Sequence, residues 1–140
     1  MNPVKSLSAD AEAIRLLLVD DDINVLELTS QLLFRQGYIV TPATGSSEAI
    51  TILKNNHRAY DVVVTDFCMP DKNGIELALM IRELSADIPV ILHTGKIDLV
   101  DEREVAQACI SEIITKPYKI DELDEIIKKV INKRGVNRHG

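Results

Sequence analysis

YDVVVTDFCMPDKNGIELALMIRELSADIPVILHTG, residues 60–95, holds the pattern that decides the fold. Tyr60 to Thr65 is a β-branched run without polar alternation, which reads as a strand buried on both faces. Gly74 marks a turn before a helix over about 75–84, and Pro89 opens a second apolar strand, PVILH. Strands that are apolar throughout and separated by helices imply a parallel sheet, because right-handed crossovers place the helices on its two faces.

The same alternation extends in both directions. Ile14 to Val19 (IRLLLV) reads as a strand, followed by a helix over about 23–36 with Val25, Leu28, Leu32 and Leu33 in its apolar stripe and Gly37 as its stop. Tyr38 to Thr41 is a weaker strand ended by Pro42, and Ser46 or Ser47 can cap a helix carrying Ala49, Ile50 and Leu53. Beyond PVILH, Asp98 can cap a helix to about Ala108, and EIIT is a fifth strand. Asp121 then caps a last helix with Leu123, Ile126, Ile127, Val130 and Ile131 on one face, basic residues in its final turns and Gly135 beyond. The sum is a (βα)5 domain over residues 14–134, with residues 1–13 and 135–140 expected as flexible extensions.

Composition narrows the function classes. The 140 residues carry 16 Lys and Arg against 22 Asp and Glu, a formal charge of −6, and 46% are apolar. One domain of this size can bury a full core. The acidic balance argues against a direct nucleic-acid surface, which needs clustered cations, and makes a cation the expected guest. The two cysteines, Cys68 and Cys109, suggest neither a disulfide framework nor a zinc site and are read as small packing residues. The start lacks the pattern of a secretory signal, and no apolar run approaches a membrane span, so a cytoplasmic setting is expected.

In open α/β sheets, ligands bind outside the carboxyl ends of the strands. Asp20, Asp21 and Asp22 follow the first strand, Asp66 the third, Thr94 the fourth and Lys116 the fifth. Crowded carboxylates repel unless a hard cation shares their site, and Mg²⁺ is the natural solution. A carboxylate beside such a cation can act as a nucleophile toward phosphorus, and a lysine and a hydroxyl can then compensate the phosphoryl oxygens. Asp22 is read only as a helix cap, and His93 as a core histidine outside the site.

The segments LLLVDDD at 16–22, VVVTDFCMPDKNG at 62–74, PVILHTG at 89–95 and IITKP at 113–117 together resemble the receiver domain of two-component response regulators. The resemblance implies a flavodoxin-like, doubly wound sandwich with a five-stranded parallel sheet in the order 2-1-3-4-5. It implies Asp66 as phosphoacceptor, Asp21 as a direct and Asp20 as a largely water-mediated ligand of Mg²⁺, and the backbone carbonyl of Cys68 as a further metal ligand. Thr94 would bind a phosphoryl oxygen, and Lys116 would pair first with the carboxylate and then with the phosphoryl group. Lys116–Pro117 is similar to the family's K-P pair, whose bond is usually cis.

One departure stands out. The family usually has Tyr or Phe three residues before the lysine, and this chain has Ile113. A branched aliphatic side chain cannot swing between exposed and buried positions as a ring does, so output is expected through loop and helix shifts around 94–108, or in muted form. The implied partners are a histidine kinase or phosphotransfer protein and a downstream output protein or domain, with the face of the last two helices a candidate for self-association. A switch of this kind acts stoichiometrically and is not expected to turn over a substrate as an enzyme. Three alternatives stand beside it: a receiver-like docking module that signals without phosphorylation, a receiver fragment of a hybrid sensor kinase, and an aspartyl phosphohydrolase. The last lacks the second acid such enzymes usually carry at the position of Cys68.

Overall fold

Five parallel strands form one sheet in the order β2-β1-β3-β4-β5, as the resemblance implied. The computed structural model describes residues 13–139, with side chains through residue 133; residues 1–12 of the expected N-terminal extension lie outside the described residues. The strands are β1 (Arg15–Val19), β2 (Ile39–Ala43), β3 (Val62–Asp66), β4 (Val90–Thr94) and β5 (Glu112–Thr115). Between and after them run α1 (Ile23–Arg35), α2 (Ser46–Asn56), α3 (Gly74–Leu84), α4 (Glu102–Gln107) and α5 (Ile120–His139).

Side chains alternate across the sheet, so each strand feeds two cores. Leu17, Val19, Val63 and Leu92 join Ala49, Leu53, Leu77 and Ile81 on the face covered by α2 and α3. Leu16, Leu18, Val64 and Ile91 join Leu26, Leu33, Leu123 and Ile127 on the face covered by α1 and α5. This double burial is why β1 and β3 read as continuous apolar runs.

Several element boundaries differ from the sequence reading. Pro42 does not end β2; it sits inside the strand, opposite Leu18. β2 is an edge strand with one unpaired side, where a residue without an N–H is tolerated. Neither Ser46 nor Ser47 caps α2. Gly45 occupies the cap with no side-chain bond of its own, and the open N–H of Ser47 donates instead to Asp71 Oδ2 at 2.9 Å, across 24 residues of chain. Asp98 falls in a single 3-10 turn, Ile97–Leu99, and the cap of the shorter α4 is Asp101, which accepts from the Arg103 N–H at 2.8 Å. Asp121 lies within the first turn of α5 rather than capping it, and the Lys119 N–H donates to Glu122 Oε1.

The backbone of α5 also runs past Gly135 to His139. In α1, Leu26, Thr29 and Leu33 are buried while Leu28 is 59% exposed, so the stripe reaches the core only in part. Cys68 and Cys109 are both exposed rather than packed inside. Among the described residues no helix is long and apolar enough to cross a membrane.

Candidate functional site

The carboxyl edge of the sheet brings together the charged residues that finish its strands. Asp20 continues past β1 with its N–H still bonded to the Ala43 carbonyl at 3.1 Å, and this backbone bond draws the carboxylate inside, where it is 1% exposed. A buried carboxylate needs donors on both oxygens. Oδ1 accepts from the Asp22 N–H at 2.9 Å, and Oδ2 from Lys116 Nζ at 3.0 Å. Asp22 caps α1 as expected, accepting from the N–H groups of Asn24 and Val25.

Asp66 ends β3, and its Oδ1 lies 3.5 Å from the same lysine nitrogen while accepting from the Phe67 N–H at 2.9 Å. Burial pushes the Asp66 carboxyl above its ordinary pKa; the nearby Lys116 charge opposes the rise and the Asp20 charge adds to it. The lysine itself is placed by backbone. Its N–H donates to the Thr94 carbonyl at 2.8 Å, joining the ends of β4 and β5, and the following Lys116–Pro117 bond is cis. Thr94 is fully buried, and its Oγ1 accepts from the Lys96 N–H at 2.8 Å, which leaves its own O–H free to donate.

The edge therefore gathers Asp20, Asp66 and Lys116 directly, with Thr94 joined through the backbone. Asp21 is exposed and lines an open cleft with Phe67, Cys68 and Asn73, which brings Asp21 and Cys68 together, whereas the acidic and imidazole groups within 4.8 Å of one another among the described residues are Asp20, Asp66 and His93. The oxygen donors fit a hard divalent cation. Such ions take carboxylates and water, and the raised Asp66 pKa marks a site where ionised carboxylates are uncomfortable without compensation.

Three residues bear on the site that the sequence reading did not place there: His93, read as a core histidine outside it, Gly74, read only as a turn, and Asp71. His93 is fully buried beside the acids, with Nε2 3.6 Å from Asp20 Oδ2 and Nδ1 2.8 Å from the Tyr118 hydroxyl. Burial, with the Lys116 charge behind it, lowers its pKa to about 4, so the ring is neutral. A His within an apolar strand run gave the sequence reading no reason to place it there. Its register opposite Asp66 is the signal that could have done so.

Gly74 is more than a turn. A Cβ added there would lie 2.4 Å from the Asp66 carbonyl oxygen and 2.5 Å from Leu92 Cδ1, so only glycine lets α3 start against the backbone of Asp66. The Gly74 N–H donates to the Phe67 carbonyl at 2.8 Å, closing the intervening loop on itself. Asp71, in that loop, ties it to the start of α2; the Ser47 N–H bond holds the Asp71 carboxyl well below the usual carboxylate range.

A family model described as the response regulator receiver domain matches residues 16–128. The chain is similar to the two-component response regulator ORR21 of Oryza sativa subsp. indica, with 32% identity over 122 residues, which cover 86% of this chain and 17% of that protein. It thus spans about a sixth of that regulator's length. Among solved structures, a receiver domain protein from Clostridium thermocellum superposes with a TM-score of 0.83 at 28% identity, covering 88% of this chain and 98% of that one. The response regulator TrrA of Thermotoga maritima, solved in complex with Mg(2+)-BeF, superposes with a TM-score of 0.74 at 33% identity, covering 84% and 98%.

Proposed function

We propose, since the chain belongs to the response regulator receiver family, that Asp66 accepts a phosphoryl group from a phosphohistidine of a kinase or phosphotransfer protein and that the modified domain binds its output partner differently. The observation that carries this reading is the Lys116 ammonium set between two carboxylates, 3.0 Å from Asp20 Oδ2 and 3.5 Å from Asp66 Oδ1. That placement lets one cation neutralise the acceptor before transfer and pair with the phosphoryl oxygens after it.

In the transfer, the bond between an Asp66 carboxylate oxygen and phosphorus forms as the donor's P–N bond breaks. Thr94, whose O–H is free, donates to one phosphoryl oxygen. Asp21, Asp66 and the Cys68 carbonyl would hold Mg²⁺ directly, with Asp20 facing it through water; when bound, the ion offsets the charge of the carboxylates and the phosphoryl oxygens. The similarity to TrrA, solved with Mg(2+)-BeF, supports this choice of ion.

The added group brings nearly two negative charges to one edge of the sheet, which is enough to bias a nearby two-state segment. The domain acts once per phosphoryl group received, as a switch and not as a turnover enzyme, and a separate output protein or domain reads the result. A second reading, a docking module that signals without phosphorylation, is favoured by Ile113, which is half-buried against the core on the α2 and α3 face where the family usually has a mobile ring.

Intact-mass spectrometry after incubation with acetyl phosphate separates the two readings. One added phosphoryl group is expected, dependent on both Mg²⁺ and Asp66 and absent in Asp66→Asn. No addition to a folded, Mg²⁺-binding protein, with acetyl phosphate or with a cognate kinase, would leave the docking reading.

A further inference from the structure

Ile113 leaves open how the acid site reaches the rest of the surface, and the buried pair behind the site supplies a connection. His93 Nε2 is fully buried with no hydrogen bond of standard geometry and lies 3.6 Å from Asp20 Oδ2, and the Val19 backbone is a further neighbour of the ring. The other ring nitrogen meets the Tyr118 hydroxyl at 2.8 Å, and the two rings are tilted with centroids 6.0 Å apart. Tyr118 follows the Lys116–Pro117 pair and lines an apolar groove with Leu28, Leu32 and Ile120, between α1 and the start of α5. One continuous line of side chains thus runs from Asp20 through His93 and Tyr118 to the surface.

A neutral imidazole has one donor and one acceptor, so its two contacts fix each other. If Nδ1 carried the proton, the Nε2 lone pair would face the Asp20 carboxylate, which is repulsive. With the proton on Nε2, the ring donates toward Asp20 and accepts from the Tyr118 O–H. Burial, followed by the Asp20 and Asp66 charges, pushes the Tyr118 pKa up, so its hydroxyl keeps the proton it must donate.

We propose that His93 is a positioning residue that steadies Asp20 through Nε2–H and that, through Tyr118, it carries the state of the acid site to the groove beside α1, a route used in place of a ring at position 113. The inference rests on the phosphoacceptor reading above. When Lys116 moves from Asp20 to a phosphoryl group, Asp20 Oδ2 loses its closest cation and the imidazole N–H becomes the nearest side-chain donor to that oxygen. The ring closes onto the carboxylate, and its bond to Tyr118 takes that shift to the groove.

The test is ¹H–¹⁵N NMR on the intact chain, free and with Mg²⁺ plus beryllofluoride, for the wild type and for Tyr118→Phe, His93→Leu and His93→Gln. The expected result has three parts. The wild-type His93 ring shows the Nε2-protonated tautomer. The Asp21, Phe67, Leu28 and Ile120 amides all shift on loading, whereas in Tyr118→Phe and His93→Leu the Leu28 and Ile120 shifts fall by more than half and those of Asp21 and Phe67 persist. His93→Leu weakens Mg²⁺ affinity about tenfold, the low end of what losing an outer-shell partner of a metal site costs, and His93→Gln, which can place an N–H near the same point, restores most of it.

An Nδ1-protonated ring, or groove shifts that survive in Tyr118→Phe, would overturn the relay. Wild-type Asp21 and Phe67 amides that ignore the ligands would overturn the phosphoacceptor reading itself and the relay with it, a result distinct from survival of the groove shifts. Tyr118→Phe removes one hydroxyl and nothing else, so it keeps the test valid where His93→Leu perturbs packing.

Discussion

The helices α3 and α4 each follow a strand that ends in a site residue, yet they are anchored in opposite ways. α3, behind Asp66, has eleven residues, buries Gly74, Ile75, Leu77, Ala78 and Ile81, and starts with a capping box in which Asn73 and Glu76 satisfy each other's backbone N–H groups. α4, behind Thr94, has six residues, none of them buried, and a single cap bond from Asp101. The 3-10 turn before it exposes Ile97 and Leu99. Local stability follows buried contacts, so the fold is firm behind the residue proposed to take the phosphoryl group and loose behind the residue proposed to sense it.

The sharpest way to break the contrast is to put the same methyl group on each side. Gly74→Ala is expected to cost about 3 kcal/mol or more, because its Cβ collides with backbone as well as with Leu92. At Gly95 the nearest atom to an added Cβ is Lys116 Cβ at 3.9 Å, an ordinary contact, and Gly95→Ala should stay within about 0.5 kcal/mol of wild type. Urea melts of the two variants decide it; equal losses would end the comparison.

Native-state hydrogen exchange gives the next largest effect. The α4 amides should exchange at least about tenfold faster than those in the middle of α3, since opening α4 exposes little apolar surface. Cap removal sharpens the same point: Asn73→Ala should lose about 1 kcal/mol, and Asp101→Ala about half of that or less.

The smallest effect concerns Asp66 itself. Its folded pKa is raised above the unfolded value, mainly by burial, so in the window between the two the folded state binds more protons and stability falls as pH rises. In buffer free of divalent cations, Asp66→Asn should therefore melt higher than wild type near pH 7. The gain should shrink toward about pH 4, where the unfolded carboxyl also takes up its proton. A gain that did not change with pH would point to shape rather than charge.

The parts of the molecule that were legible in the sequence are those decided by neighbours in the chain. Val62 to Val64 announce a strand buried on both faces because every side chain is apolar, and Asp20, Asp66 and Lys116 stand out because a strand does not need them. What escaped depends on residues far apart. Asp71 serves α2 from 24 residues away, so a search for a cap beside the helix finds only the serines. His93 meets Asp20 and Tyr118 through strand order, which no local period reports. Asp98 and Asp101 are equally good caps by type, and only the 3-10 turn between Lys96 and Val100 decides between them.

Pro42 has a consequence beyond its own strand. An open sheet presents a row of unpaired backbone groups along each edge, and such a row can accept a strand from another molecule. Proline supplies no N–H to that row and so interrupts it in β2, while at the opposite edge β5 is only four residues long. The two edges therefore make poor templates for chain-to-chain strand pairing, which guards the domain against sheet-driven aggregation when it is abundant.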